Sequence, residues 1–292
     1  MTRASWTYGV ELEWPDVDVR TPLPDGWSWS RTDYTIVNSD GVANDPKHEI
    51  VLRGGELNSP PFYTSFEMGA AVDELAELLQ PGHNYRSNTH IHIRMPGLED
   101  DLPLVKLIAE RVHDYLPGCI DVFDPLDELL SEQDTEEELR AAHERRRHSK
   151  RSRHYFTSET RHKMRLQARN LEEFLACEVP HARNGRPCWS LAPREAVNLR
   201  SLKKHGTVEF RCFSGTRSGL EVTAAAVLCG ELLAEAATGG TSFGDIIRMY
   251  LTDLPRQVHY NHRLELGWQH TNFQHNDREV VRRRLREMGV AE

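Results

Sequence analysis

Thr207-Val208-Glu209-Phe210-Arg211-Cys212-Phe213 alternates polar and apolar side chains with period two, the pattern of a strand with one buried face. Residues i and i+2 of a strand point the same way. Glu209 and Arg211 therefore share one face, and Val208, Phe210 and Cys212 share the other. The polar face pairs a carboxylate with a guanidinium. Three upstream stretches repeat the arrangement. Glu11 and Glu13 flank Leu12 in Tyr8-Gly9-Val10-Glu11-Leu12-Glu13-Trp14, Glu56 and Asn58 flank Leu57, and His90 and His92 flank Ile91 in Asn88-Thr89-His90-Ile91-His92-Ile93. Four strands carrying Glu, His, Asn and Arg pairs predict a polar sheet face gathered into one site.

The chain has 292 residues, enough to bury a sizeable core. Its net charge of −9 and pI near 5.9 argue against a protein that coats nucleic acid. The five cysteines, Cys119, Cys177, Cys188, Cys212 and Cys229, are odd in number and form no CxxC, which predicts reduced thiols and a cytoplasmic protein. No apolar core of a signal peptide opens the chain, and no run is long enough to span a bilayer, so no membrane association is expected.

Residues 5–14 read as a strand ending at Pro15. Trp27–Ser30 and Tyr34–Val37 suit a short hairpin, and residues 48–53 and 56–59 suit strands. Residues 64–79 change period to that of a helix, with Phe66, Ala70, Val72, Leu75, Leu78 and Leu79 on its apolar side. Residues 102–116 form a second helix facing Val105, Ile108, Ala109, Val112 and Leu116 to the core. Residues 171–177 suit a short helix, Val197–Leu199 a strand, and Lys203–Gly206 a turn. The clearest helix runs from about Leu220 to Ala237, with others at 243–251 and 276–288. The sum is an α+β pattern, a mainly antiparallel sheet with helices over one face. We expect one catalytic domain over residues 1–292, with a charged helical insertion at about 121–170 and a helical C-terminal region at about 220–292.

Inside that insertion the charges segregate. Asp121 to Glu138 holds nine acids and no Lys or Arg; Arg140 to Arg169 holds eleven Lys or Arg against Glu144 and Glu159. One reading is a solvated helical excursion whose two parts answer each other. The other is a basic lobe, residues 140–169, for ATP phosphates, a phosphorylated substrate or nucleic acid. Few aromatics accompany it, which disfavours base stacking.

Clustered Glu and His with open positions suit a hard cation such as Mg²⁺, which takes a few carboxylates plus substrate phosphates. Glu11, Glu13, Glu56 and Glu209 would supply oxygens and His90 or His92 a nitrogen. Four carboxylates on one buried face would repel one another without cations. Arg211 beside them suits phosphate oxygens. Carboxylates, metals and an arginine make a phosphoryl-transfer set. No GxxxxGK[ST], GxSxG or HExxH occurs. His259, His262, His270 and His275 are spaced too loosely for a zinc site and read as a polar surface loop.

Together, Tyr8–Glu13, Gly55–Pro61, Thr89–His92, Arg194–Leu199 and Thr207–Thr216 resemble the amidoligases, carboxylate–amine ligases related to glutamine synthetase and glutamate–cysteine ligase. The resemblance implies a curved, glutamine-synthetase-like antiparallel sheet with helices on its outer face, and ATP with two Mg²⁺ on the concave one. It implies Glu11, Glu209 and a histidine of the His90/His92 pair on the metal nearest the phosphates, and Glu13 and Glu56 on the second. Arg211 would stabilise the transferring phosphoryl group. Arg194 and Asn198 would line the nucleotide or acyl-phosphate pocket, and His92 would contact the cofactor. Trp29 and Asp33 match a Trp…Asp segment in which Asp33 deprotonates the amine. Arg153 and Tyr155 fall where the family has an Arg-Tyr pair, though the following residues depart from its pattern. The implied activity is ATP-dependent amide formation through an acyl phosphate, on a small-molecule, peptide or modified-nucleobase substrate. Two alternatives use the same residues differently: a two-metal phosphohydrolase or nuclease, and a nucleic-acid-binding module built on residues 140–169.

Overall fold

The computed structural model describes residues 5–30, 53–82, 87–123, 159–177 and 196–238. The elements are β1 (Thr7–Asp18), β2 (Ser28–Ser30), β3 (Arg53–Asn58), α1 (Ser65–Leu79), β4 (Asn88–Arg94), α2 (Leu102–Phe123), α3 (Glu159–Leu166), α4 (Leu171–Ala176), β5 (Val197–Asn198), α5 (Ser201–His205), β6 (Thr207–Ser214) and α6 (Gly219–Thr238). The strands form one six-stranded sheet in the order β2-β3-β1-β4-β6-β5. Every pairing in it is antiparallel. The expected α+β class with a mainly antiparallel sheet is what the described residues adopt.

Alternation sorts the two faces. Tyr8, Val10, Leu12 and Trp14 of β1, Leu57 of β3, Ile91 and Ile93 of β4, and Val208 and Phe210 of β6 are buried together. Helices α1, α2 and α6 add Met68, Val72, Leu75, Val105, Ile108, Val222, Leu228 and Leu232 to the same core. Burying each such side chain contributes about 1.5–3 kcal/mol. The opposite face is left to the polar pairs.

Local chemistry sets the helix ends. Thr64 and Glu67 close a capping box on α1. Asp101 Oδ1 accepts the Leu104 N–H at 3.0 Å as α2 begins. Asp73 of α1 accepts the Gly219 N–H at 2.6 Å, which caps α6 from a neighbouring helix. The two helices touch backbone to backbone. A Cβ on Gly69 would lie 2.5 Å from the Gly219 carbonyl oxygen and 2.0 Å from Thr223 Oγ1.

Three local expectations are corrected, and Trp29 is placed. β1 does not end at Pro15 but runs to Asp18, because Pro15 pairs with Gly54 and a register shift follows, with Asp16 at φ 59°. The core side of α1 is Ser65, Met68, Gly69, Val72 and Leu75, while Phe66, Ala70 and Leu78 are exposed. The close approach to α6 at Gly69, not hydrophobicity alone, decides which side of α1 faces inward. Lys203–His205 belong to helix α5, ended by Gly206 at φ 68°. Trp29 pairs with Leu57 and lies over Gly55 on the core side, so it does not face the polar pairs.

Candidate metal and phosphate site

Register brings the polar pairs together. Glu11 stands opposite Asn58 on one side and His90 on the other, and Asn58 stands opposite Ser28. Glu13 stands opposite Glu56, which stands opposite Ser30. Gly9, His92, Glu209 and Asn198 form a third row across β1, β4, β6 and β5. All of the quoted pairs therefore lie on one face, as their period predicts.

A bulge adjusts the last strand. Thr89 pairs with Phe213 but Ile91 with Phe210, so β6 spends an extra residue at Arg211–Cys212, opposite His90. Arg211 donates its backbone N–H to the Ala196 carbonyl at 2.7 Å. Past the bulge the alternation resets, and Phe213 packs against the core rather than following Glu209 and Arg211.

The side chains converge at the centre of the sheet. His90 Nδ1 lies 2.8 Å from Glu11 Oε2 and 3.7 Å from Glu209 Oε1, and His90 Nε2 lies 4.0 Å from Glu13 Oε1. His92 Nε2 lies 3.0 Å from Glu11 Oε1. One ligand atom from each of Glu11, His90 and Glu209 falls within 4.8 Å of the others. Two carboxylates and an imidazole at that spacing have the geometry to hold a metal ion. Among the described residues it is the one such group of three.

Each of these groups has its own support. Glu209 accepts from Arg211 Nη1 on Oε1 and from Asn198 Nδ2 on Oε2. Asn198 Oδ1 in turn accepts the Arg200 N–H at 3.1 Å. The amide of Asn198 is thus turned onto the Glu209 carboxylate. Asn88 donates both its backbone N–H and Nδ2 to Glu13 Oε2, at 2.8 and 2.9 Å. His92 Nδ1 lies 3.1 Å from Thr207 Oγ1, which lies 2.7 Å from Ser201 Oγ. Such outer partners orient ligands and raise their affinity.

Burial and charge set the protonation states. For His90 burial is the largest influence and pulls its proton affinity down, leaving a neutral ring. For His92 burial acts the same way, but the hydrogen bond and charge of Glu11 outweigh it and raise the value. Burial opposes ionisation of Glu11, yet both histidines hold it well below the usual carboxylate range. Burial works against the Arg211 guanidinium and Glu209 more than restores it. The repulsion expected among carboxylates is thus relieved in part by the protein: His92 answers Glu11 and Arg211 answers Glu209. A divalent cation would compete with those two groups rather than enter an uncompensated hollow. Cys212, behind the strand, is pushed up to about 12 by burial and is no nucleophile.

No family model, curated protein or solved structure matches the chain. Its functional reading rests on the site's own geometry.

Of the expected site residues, Glu11, Glu13, Glu56, His90, His92, Asn198, Glu209 and Arg211 share the polar face. Asp33, Arg194, Arg153, Tyr155, the basic segment before residue 159 and the helices at 243–251 and 276–288 lie outside the described residues. The described end of the basic segment is only partly available to a polyanion. Arg165 is buried, with Nε 3.3 Å from His162 Nδ1 and its guanidinium over Phe174, and Arg169 pairs with Glu173 at 2.6 Å. No described helix is long and apolar enough to cross a membrane. Asn88, Thr207, Ser201 and His205 were not anticipated as part of the site. Extending period two along β4 (Asn88, His90, His92, Arg94) would have found the first.

Proposed function

We propose that the chain is an ATP- and Mg²⁺-dependent ligase that joins a carboxylate to an amine. The observation that carries the proposal is the meeting of Glu11, His90 and Glu209 from three adjacent strands, with Arg211 bonded to the third. Such a constellation suits a phosphoryl group in transfer, whose negative charge needs cations around it. Bound Mg²⁺ would supply charge neutralisation at the phosphates.

In this reading a substrate carboxylate oxygen attacks the γ-phosphorus of ATP, the bond to ADP breaks, and an acyl phosphate forms. The amine nitrogen then attacks the acyl carbon, loses a proton, and phosphate leaves. Glu11, His90 and Glu209 would hold one cation and Glu13 and Glu56 a second, and these would neutralise phosphate charge. Arg211 bonds the phosphoryl oxygens, and His92 lies at the phosphate side. Asp33 accepts the amine proton, and Arg194 contacts the nucleotide. Asn198 keeps Glu209 in place.

The test is ADP release from Mg-ATP across carboxylate–amine pairs. Release that needs both partners, and stops in Glu209→Ala, supports the ligase. Cleavage of phosphodiesters without nucleotide, or turnover in Glu209→Ala equal to that of the unaltered protein, refutes it.

A further inference from the structure

The polar face changes sign along its length. Its centre is acidic, but its end beyond His92 is basic. Arg94 continues the row of Asn88, His90 and His92 on β4 and stands opposite Thr7 and Thr207. Arg94 is exposed, makes no ion pair among the described residues, and its Nε lies near Gly206, 3.6 Å from where a Cβ would sit. His205 closes α5 and sets its ring edge-on to His92, with centroids 6.4 Å apart. His205 and its neighbour Lys204 are both exposed.

Gly9 completes this end. It occupies the row of His92, Glu209 and Asn198, where the other three positions carry large side chains. Its backbone is not in the left-handed region. A Cβ there would meet only Ser59 Oγ at 3.5 Å and His92 Cβ at 3.7 Å among the described residues, which is ordinary contact. Gly55 is different: a Cβ on it would meet the Trp29 ring at 2.7 Å. Neither conformation nor crowding calls for glycine at position 9, and its missing side chain leaves room on the sheet beside an arginine that has no ion-pair partner among the described residues.

We propose that this end, bounded by Gly9, Arg94 and His205, is a subsite for a phosphate group of the ligand whose reacting end lies at Glu11, His90 and Glu209. The proposal rests on the metal reading of that centre. An anion of several charges fits both parts at once. One end meets cations held by the carboxylates, and the other meets the guanidinium, which bonds phosphate bidentately. Arg94 is four residues from His90, about 13 Å along the strand, a gap that an arginine folded back and a short phosphate chain bridge together. A lone carboxylate has no second charge to offer.

The test is calorimetric titration of Mg²⁺-loaded protein with inorganic tripolyphosphate and, separately, with phosphoserine. Mn²⁺ binding alone reports whether the centre is intact. Arg94→Ala and Gly9→Val should each weaken binding of at least one of the two anions about tenfold or more, Gly9→Ala should leave it within about twofold, and Mn²⁺ affinity should be unchanged in all three. A loss confined to tripolyphosphate assigns the subsite to a nucleotide's phosphate chain; a loss confined to phosphoserine assigns it to a phosphorylated substrate. The proposal is overturned if both anions bind Arg94→Ala as they bind the unaltered protein, if neither binds at all, or if Mn²⁺ affinity falls in step. A protein that binds no Mn²⁺ would instead refute the metal centre itself.

Discussion

Replacing Arg211 by methionine should make the metal-free protein less stable and the metal tighter. The guanidinium bonds Glu209 Oε1, and the Glu209 side chain is 5% exposed against 26% for Arg211. Removing one partner of a buried pair costs about 3–5 kcal/mol, because the other is left charged and dry. Asn198 still donates to Oε2, and methionine keeps the apolar stem, so the lower end, about 3 kcal/mol, is expected. At about 2–4 °C per kcal/mol, the melting temperature in chelator should fall by about 6–12 °C. A divalent cation competes with the guanidinium for the same oxygen. Its removal should tighten Mn²⁺ binding by up to about two decades, the equivalent of about 3 kcal/mol. Saturating Mn²⁺ should then recover most of the lost stability, since a ligand at a hundred times its dissociation constant contributes about 2.7 kcal/mol. Turnover should nevertheless disappear, because the phosphoryl oxygens lose their donor. Melts in chelator and in Mn²⁺, with calorimetry for affinity, decide the matter. An equal loss of stability under both conditions, or weaker Mn²⁺ binding in the variant, would refute competition at Glu209.

Two further outcomes follow from the same coordinates. The value for His92 is raised above its ordinary 6.5, so its protonation stabilises the fold fully below that pH and the contribution is lost as pH climbs through the folded value; in chelator, the gap in melting temperature between the unaltered protein and His92→Gln should shrink above about pH 6.5, and a gap constant with pH would count against a charged His92. Gly69→Ala should cost about 1–3 kcal/mol by overpacking, and adding Thr223→Ala should restore only part of it in denaturant melts, because the Gly219 carbonyl remains 2.5 Å from the new methyl; full recovery would show that the helices part easily.

Much of the site is visible in the chain because its ligands come in i, i+2 pairs. That spacing alone puts Glu11 with Glu13, His90 with His92, and Glu209 with Arg211 on one face each. It cannot say which strands adjoin, since register between segments some eighty to two hundred residues apart is a tertiary property. The bulge at Arg211–Cys212 shows in the sequence only as two successive apolar residues, Cys212 and Phe213, which do not by themselves say on which face Phe213 lies. Pro15 reads as a stop because proline gives no ladder hydrogen bond, yet a register shift just beyond it lets β1 continue. The inward side of α1 is misjudged because Phe66 and Leu78 outweigh Gly69 on any hydropathy scale. Gly69 matters through what it lacks. Thr207, Ser201 and Asn88 escape notice for a related reason: small neutral groups become meaningful only once the side chain they orient is known.

The strand order β2-β3-β1-β4-β6-β5 has a consequence for how the protein is made. Glu11 and His90 sit on neighbouring strands that the ribosome delivers before β6, and Glu209 follows His90 by more than a hundred residues. A nascent chain therefore carries two of the three candidate ligands while the residues between β4 and β6 are made, and gains the third only when β6 docks beside β4. Under the proposed function, cation capture would wait for the closing of the sheet, and half-made molecules would not compete with finished ones for the cell's divalent ions.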